Sequence, residues 1–276
     1  MEWSKLKNII LLILVSVNVF LLVLVVYRQH QTVQLEARER EDVVEVLQKN
    51  GISMAVETLP SSVAFWNLQI EQDRLQTRRI AEAVLGNITE ETRGSAVTYK
   101  NEKGTMDFQG NGTFSIVFHA EERIPSEQEK KSRQKTLLRE MKLTTEDEWR
   151  REQTDGTVSY SARQQVDGIT VFNCVITVTY SDDRLVSMEG TYLAGKIERD
   201  GAKQTTLSVF TALIRLIQYE AGHSVQSSEI QSIQMGYFFP TTLTSVAQME
   251  PVWRISTDKG NYYVNRKTGA VAEEET

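Results

Sequence analysis

The longest apolar stretch of the chain covers residues 9–26, which contain no charged residue and only two polar ones, Ser16 and Asn18. This stretch is apolar all round, whereas a helix on a soluble core normally keeps a polar stripe. Its length is that of a membrane-spanning helix. The residues after it lack the small side chains of a signal-peptidase site. The pattern therefore predicts a retained transmembrane helix over residues 9–27 rather than a cleaved signal peptide.

The basic residues that flank this stretch predict its orientation. Lys5 and Lys7 lie close together before it, whereas the basic residues after it are spread among acidic ones. Lysine and arginine resist translocation, so the more basic flank stays in the cytoplasm. We therefore expect a cytoplasmic head over residues 1–8. The rest of the chain is expected outside the cell, as the exported part of a single-pass protein of the cell membrane.

Beyond the predicted anchor, the apolar positions change between helical and strand spacing. Residues 28–50 favour a stalk helix, because Asn50-Gly51 is a helix stop that follows a short apolar face. The elements expected next are a short strand (52–60), a helix (71–85) and an antiparallel meander (96–119). Together they predict a first α+β unit over residues 51–124.

The second half repeats these elements on a larger scale. Ser126 and Glu129 have the spacing of a capping box, which predicts a charged helix through Met141. Asp167-Gly168 lies between two strand-like runs and is a strong hairpin signal. The elements expected next are a strand (184–193), a mostly buried helix (205–219) and three strand runs (227–239, 250–258, 261–273). They predict a second α+β unit over residues 125–276, with helices on one face of antiparallel sheets.

Composition and charge narrow the classes of function. Hydrophobic residues make up 40% of the 276 residues and charged residues 25%, as in a globular protein. The net charge of −6 provides no basic surface for nucleic acid. The single cysteine, Cys174, excludes an internal disulfide. An exported domain without disulfides is more typical of a bacterial surface than of animal secretions.

We expect no catalytic, cofactor-binding or metal-binding site. His30, His119 and His223 lack the spacing of metal ligands, and no nucleophile elbow, P-loop or dinucleotide-binding turn occurs. Cys174 lies in an apolar strand run, where burial makes a thiol inert. The charged helix carries a basic cluster, which we interpret as a solvated face rather than an anion site; its members are Lys130, Lys131, Arg133 and Lys135.

The two polar residues inside the predicted span are the candidate site residues. A carboxamide in hydrocarbon gains stability by hydrogen bonding to another helix. We therefore predict that Asn18 contacts a transmembrane partner. Ser16 is included in this candidate contact, although its hydroxyl can also hydrogen-bond to the backbone of its own helix.

The end of the chain resembles the small PepSY-type module. There a helix is followed by P-V-W-R-I and then by N-Y-Y-V-N-R-K-T-G-A-V. The resemblance implies a cystatin-like arrangement of a sheet and a helix. We interpret Trp253, Tyr262 and Tyr263 as packing residues of that sheet.

Taken together, segments along nearly the whole chain resemble the YycI family. Besides the two segments just given, they are M-E-W-S-K-L-K before the anchor, N-V-F-L within it, N-G-I, G-I-T-V-F-N-C-V-I-T-V, G-T-Y-L and M-G-Y-F-F. The resemblance implies an auxiliary regulator of the WalK/WalR (YycG/YycF) cell-wall two-component system of Firmicutes. Its partners would be the sensor histidine kinase, whose autokinase activity it would modulate, and a YycH-like protein.

A second function stays open at this point. A PepSY-like envelope module would bind a peptide, a cell-wall fragment or a protease. A neighbouring pair of genes for a histidine kinase and a response regulator would favour the regulatory function over this alternative.

Overall fold

The computed structural model of the chain describes residues 14–15, 17–22, 42–55, 58–60, 65–71, 74–119, 123–192, 196–204, 207–240 and 246–274. The predicted head (1–8), most of the predicted anchor (9–27) and the first part of the predicted stalk (28–41) lie outside these residues. The described parts of the anchor, 14–15 and 17–22, are helical. Among the described helices, none is both long enough and apolar enough to cross a membrane.

The described residues form a mixed α+β fold dominated by sheets. The helices are α1 (Arg74–Leu85), α2 (Glu127–Glu140) and α3 (Val209–His223), and residues 42–49 are also helical. The strands are β1 (Phe65–Glu71), β2 (Thr89–Arg93), β3 (Ala96–Lys100), β4 (Gly104–Phe108), β5 (Thr113–Phe118), β6 (Arg150–Thr154), β7 (Thr157–Val166), β8 (Ile169–Ser181), β9 (Arg184–Thr191), β10 (Lys196–Gln204), β11 (Ile230–Phe238), β12 (Val246–Gln248), β13 (Glu250–Thr257), β14 (Asn261–Asn265) and β15 (Val271–Glu273).

Most of these strands belong to one twelve-stranded sheet. Along its main path the order is β15-β14-β13-β11-β8-β9-β5-β4-β3-β2, and β7 pairs with β8 and carries β6 on its outer side. The strands β10, β1 and β12 form a separate antiparallel sheet. All pairs in the large sheet are antiparallel except the one between β8 and β11, which is parallel.

Tight turns join β7 to β8 and β8 to β9, and the first of them confirms the predicted hairpin at Asp167-Gly168. Asp167 and Gly168, between β7 and β8, have φ values of 52° and 75°. Asp182 and Asp183, between β8 and β9, have φ values of 48° and 63°. Two-residue turns with positive φ at both positions match the twist of paired strands, and glycine and aspartate tolerate that conformation better than most residues.

Strand β8 connects the two parts of the large sheet. Its last residues, 176–181, pair with β9, whereas 170–171 pair with β11. Between these two pairings the register with β7 shifts, so that Arg163 lies opposite Val175 and Gln164 opposite Val171. Three residues, 172–174, are therefore extra in β8, and such a bulge bends the strand.

Buried apolar side chains form several core clusters. The first packs α1 and α2 against β3 to β5 and β7 to β9, and it takes residues from both predicted units, 51–124 and 125–276. The second packs α3 and the segment that begins at Leu47 against β11, β13 and β14. A third joins β1 to β7, β8 and β11. The division of the chain into two domains stays a prediction.

Trp253, Tyr262 and Tyr263 are buried, which confirms their interpretation as packing residues. The indole N–H of Trp253 donates to the carbonyl oxygen of Leu207 at 3.1 Å, and the guanidinium of Arg266 lies 4.4 Å from the centre of its ring. These contacts hold the start of α3 and the turn after β14 against the sheet.

Two predicted elements of the first half differ from the structure, and strands β1 and β2 were not predicted. Within 52–60, the described residues form no strand, and Ser53 makes only a single parallel bridge with Glu229. Helix α1 begins at Arg74 rather than at residue 71, because Glu71 is the last residue of β1, which is paired on both sides. The pairing partners of β1 lie more than a hundred residues away, so its local sequence does not reveal them.

Three predicted features of the second half also differ from the structure, and strands β6, β10 and β12 were not predicted. The capping box at Ser126 is not formed, since its side chain makes no capping hydrogen bond to the start of α2. Helix α3 begins at Val209 rather than at residue 205. Ser208 caps this start, since its hydroxyl accepts the N–H of Thr211 at 3.3 Å. The run over 261–273 is two strands, β14 and β15, because the chain turns back between them.

Candidate functional site

A groove of about 1030 Å³ lies between α2 and the segment 143–151. It forms because the chain reverses at the end of α2, where Lys142 has a positive φ of 56°. The returning segment then runs beside β7: the N–H of Glu146 donates to the carbonyl oxygen of Arg163 at 2.9 Å, and the N–H of Gln165 donates to that of Thr144 at 2.8 Å. These backbone hydrogen bonds hold the segment 143–151 against β7.

The floor of this groove is mostly apolar and continuous with the first core cluster. Leu138 of α2 and Tyr160 of β7 are buried, and Leu143 and Trp149 pack against the same cluster while staying partly exposed. An apolar floor with partly exposed aromatic side chains is typical of binding sites for organic ligands and peptides.

Gln134 supplies an unused polar atom to the groove. Its side chain is only 3% exposed, and its Nε2 has no hydrogen-bond partner among the described residues. Leaving a buried donor unsatisfied costs about 1–3 kcal/mol, so most such groups in native proteins are paired. A ligand with an acceptor oxygen in this groove would satisfy the donor.

Charged side chains of opposite sign form the two rims of the groove. Lys131, Lys135 and Arg139 are exposed and follow one another along one side of α2. The other rim carries the acidic run Glu146, Asp147 and Glu148. Among the described residues, none of the three basic side chains forms an ion pair. The basic rim is therefore available for negative charges on a ligand, whereas Glu146 on the acidic rim already accepts the hydroxyl of Thr170 at 2.9 Å.

Tyr160 and Glu127 close one end of the groove with a short hydrogen bond from the phenol to the carboxylate. This bond lowers the pKa of Glu127. Burial, together with the same bond, raises the pKa of Tyr160. Both shifts favour the state in which the phenol keeps its proton and the carboxylate is ionised.

The basic cluster of α2 was predicted to be a solvated face, and the burial of Lys130 shows that this prediction is wrong for that residue. It is 4% exposed, and its Nζ lies 2.9 Å from Asp183 Oδ1 and 3.7 Å from Glu127 Oε1. Burial opposes its charge, but the hydrogen bond and the negative charge of Asp183 outweigh burial and raise the pKa of Lys130. This member of the cluster is therefore a structural cation, whereas Lys131 and Lys135 are exposed as predicted.

A second groove, of about 660 Å³, lies on the other side of the segment 146–149. Arg163 and Arg254 line it, and both bind Glu274 with N···O distances of 3.0 Å. The hydroxyl of Tyr263 also donates to Glu274. Burial acts to raise the pKa of Glu274, but the hydrogen bonds from Tyr263 and Arg254 outweigh it, and the pKa is lowered. This network ties the end of the chain to β7, β13 and β14.

The predicted transmembrane contact is described only in part. Ser16 lies outside the described residues. Asn18 lies in a helical segment, and its Nδ2 donates to the carbonyl oxygen of Leu14 at 2.8 Å, within the same segment. The contact of Asn18 with a partner helix stays a prediction.

The histidines and the cysteine that could act in catalysis or metal binding lie far apart in the described part of the chain. His119 follows β5 and His223 ends α3, while His30 lies outside the described residues. Within the described ranges, no group of three or more His, Cys, Asp or Glu side chains could hold a metal ion. Cys174 is fully buried in the third core cluster, which confirms its predicted burial.

Gln134 and Lys130 were not predicted to face the core, although their spacing from the apolar residues of α2 indicates that they do. The buried residues of α2 are Lys130, Gln134, Leu137 and Leu138, and Met141 after its end is also buried. Positions separated by three and four residues share one face of a helix. Leu137, Leu138 and Met141 define that face, and extending it backwards reaches Gln134 and Lys130.

The family model described as YycI protein matches residues 30–266. The chain belongs to the YycI family. YycI is a regulatory family and is not known as an enzyme family, and membership indicates a regulator of the YycFG two-component system. No curated protein matches this YycI chain significantly.

Solved structures add information on the fold of this YycI chain. An uncharacterised protein from Eubacterium rectale is 9% identical, with a TM-score of 0.53, and the match covers 78% of this chain and 88% of that one. The C-terminal domain of Bacillus megaterium YpeB is 12% identical, with a TM-score of 0.39, over 75% of this chain and 100% of that one. YycH from Bacillus subtilis is 12% identical, with a TM-score of 0.40, over 78% of this chain and 51% of that one. At 9% identity the first match indicates a similar fold and nothing about function. The TM-scores of the other two matches are too low to support a conclusion about this chain.

Proposed function

We propose that this YycI chain is a membrane-anchored regulator that binds a sensor histidine kinase, together with a YycH-like partner, and modulates its autokinase activity. The observation that carries this proposal is the match of the YycI family over residues 30–266. The described residues add an open groove with a buried, unused donor, which is a feature of a binding surface. A binding role needs no catalytic residues.

In this proposal, residues 9–27 span the membrane once, with residues 1–8 in the cytoplasm and the remainder outside the cell. The support is the uncharged apolar run and the two lysines before it. Protease added to intact protoplasts should digest the exported part and leave a short anchored fragment. A protected C-terminal region, or a mature protein that begins after residue 26, would contradict this topology.

The direct test is co-purification of the full chain with the kinase from membranes. We expect tagged kinase to retain the chain, and the rate of kinase autophosphorylation in lipid nanodiscs to change by at least about twofold when the chain is added. A YycH-like protein should strengthen the complex. If the kinase retains no chain and its autophosphorylation rate does not change, kinase regulation is excluded.

The contribution of the anchor can be measured separately. Replacing residues 9–26 with an unrelated apolar span should weaken the complex, because the contacts around Asn18 are lost. Asn18→Leu alone should weaken it by up to about fivefold, since polar contacts between helices in bilayers are worth about 1 kcal/mol. Val17→Leu is the matched control and should have no effect. Full retention of the swapped protein would assign the interaction to the exported part.

We further propose that α3 with β11, β13, β14 and β15 is a PepSY-like unit. The support is that one buried face of α3 packs on these antiparallel strands. This arrangement also favours the second candidate function, an envelope module that binds a peptide, a cell-wall fragment or a protease. Recovery of such a ligand, with no retention by the kinase, would favour this second function.

A further inference from the structure

The length of the groove beside α2 matches a short extended peptide. The residues of α2 that line it run from Glu127 to Arg139. At a rise of about 1.5 Å per residue this is roughly 18 Å of helix, and an extended chain covers that distance with about five or six residues. Sites for small ligands are typically about 300–1000 Å³. The volume of about 1030 Å³ lies at the upper end of this range and is large enough for a peptide segment.

The floor of the groove offers one hydrogen bond to a peptide. Gln134 Nε2 is buried and has no partner in the described part of the chain, and a peptide backbone presents a carbonyl acceptor at every residue. Beside this donor lie the apolar side chains of Leu138 and Trp149. In an extended peptide, alternate side chains point in opposite directions. Apolar residues at every second position would therefore face the floor while their carbonyl groups reach Gln134.

The rim along α2 indicates the charge of the other positions. Lys131, Lys135 and Arg139 stand about one helical turn apart. The described part of the chain contains no carboxylate that forms an ion pair with them. Acidic side chains on the outward positions of a bound peptide would reach this rim. The acidic residues of the opposite rim would repel them and so fix the side on which they lie.

We propose that this groove binds an extended segment of a partner protein, about six residues long, in which acidic and apolar residues alternate. The inference stands on the groove alone and does not require the kinase as the partner.

The test uses the full chain in lipid nanodiscs and a fluorescein-labelled hexapeptide with capped ends, in which glutamate and leucine alternate. Binding is followed by fluorescence anisotropy, and the signal from empty nanodiscs is subtracted. We expect saturable binding that weakens as salt is added. A peptide with glutamine in place of glutamate should bind at least about tenfold more weakly, and one with lysine weaker still.

Matched variants locate the binding. Replacing Lys131 and Lys135 with glutamate should weaken binding of the glutamate–leucine peptide at least about tenfold. Replacing Lys103 and Lys267 with glutamate gives the same change of charge on exposed residues outside the groove, and it should leave affinity within about twofold.

Gln134→Leu separates binding from folding. It introduces an apolar side chain of similar size and removes the unpaired donor, so the urea midpoint should stay equal or rise while affinity falls about fivefold. The proposal is overturned if no peptide binds at about 1 mM, if the glutamate and lysine peptides bind equally well, or if the variants in the groove bind as tightly as the controls. None of these results would alter co-purification with the kinase, so the two proposals fail separately.

Discussion

Asn173 pairs through its side-chain amide with the backbone of Phe239, as a neighbouring strand would. Its Nδ2 donates to the carbonyl oxygen of Phe239 at 2.6 Å, and its Oδ1 accepts the N–H of Phe239 at 2.8 Å. Asn173 lies in the bulge of β8, and Phe239 follows the last residue of β11. The side chain thus extends the pairing between β8 and β11 beyond the two residues whose backbones pair in parallel.

Asn173→Ala removes both hydrogen bonds of this pair. We expect the free energy of unfolding to fall by about 1–3 kcal/mol, because the backbone groups of Phe239 lose their partner. Urea unfolding followed by circular dichroism gives the value. Asn87→Ala, at an exposed side chain that makes no hydrogen bond to the described residues, is the control and should change stability by less than about 0.5 kcal/mol. Equal effects of the two substitutions would contradict the assigned role of Asn173.

Gly236 lets β8 and β11 approach each other. A Cβ at this position would lie 2.5 Å from the carbonyl oxygen of Thr170 and 2.5 Å from a ring carbon of Phe172. Gly236→Ala should therefore lower the free energy of unfolding by about 1–3 kcal/mol, the usual cost of overpacking. The measurement is the urea midpoint together with the slope of the transition.

Gly222 provides the matched control for this substitution. It lies in α3, and a Cβ there would meet no atom within 4 Å. Gly222→Ala should raise stability by about 0.5–1 kcal/mol, since alanine is the better helix former. A stable Gly236→Ala protein would show that the two strands can separate without cost.

Asp258 should make the fold sensitive to acid. Its carboxylate accepts the N–H groups of Glu229 at 3.0 Å and of Ser228 at 2.7 Å, and these bonds lower its pKa to about 2 from an ordinary 3.8. Because the pKa is lower in the folded state, the stabilisation is complete above the unfolded pKa. It is lost as the pH falls from about 4 towards 2.

Asp258→Asn tests this dependence. The difference in stability between the wild type and this variant should be largest near neutral pH and should shrink below about pH 4. Urea midpoints at pH 7, 5, 4 and 3 measure it. Asp155→Asn makes the same change of charge at an exposed turn and should give a difference that does not depend on pH in this way. A constant difference for Asp258→Asn would refute the role of its charge.

Cys174 should be unreactive in the folded protein. Its side chain is fully buried, and burial raises the pKa of the thiol, so that little of the reactive thiolate forms. A thiol reagent at pH 8 should label it at least about a hundredfold more slowly than in urea, because labelling requires opening of the fold.

The neighbouring position offers a control for this labelling. Val175 is partly exposed at 38% and points to the other side of β8. In the double variant Cys174→Ala and Val175→Cys, the new thiol should react quickly under native conditions. Similar rates for the wild type and this variant would contradict the burial of Cys174.

Elements whose signals are local could be predicted from the sequence alone. The turn at Asp167-Gly168, the presence of helix α1 and the burial of Cys174 were predicted from neighbouring residues, because turn geometry and side-chain periodicity depend on nearby positions. The candidate groove was not predicted. Its floor combines α2 with β7 and the segment between them, and the periodicity that places Gln134 inside α2 does not show what it faces.

Contacts between segments that are distant in sequence are seen only in the tertiary structure. Strand β1 pairs with β10 and β12, the bulge of β8 places Asn173 against Phe239, and the turn after β8 places Asp183 against Lys130. The partners in the last two contacts are 66 and 53 positions apart in the sequence. Local sequence carries no signal for such pairs, because their energy depends on where the remaining chain holds both partners. Burial beside Asp183 is what turned Lys130 from an expected surface charge into part of the core.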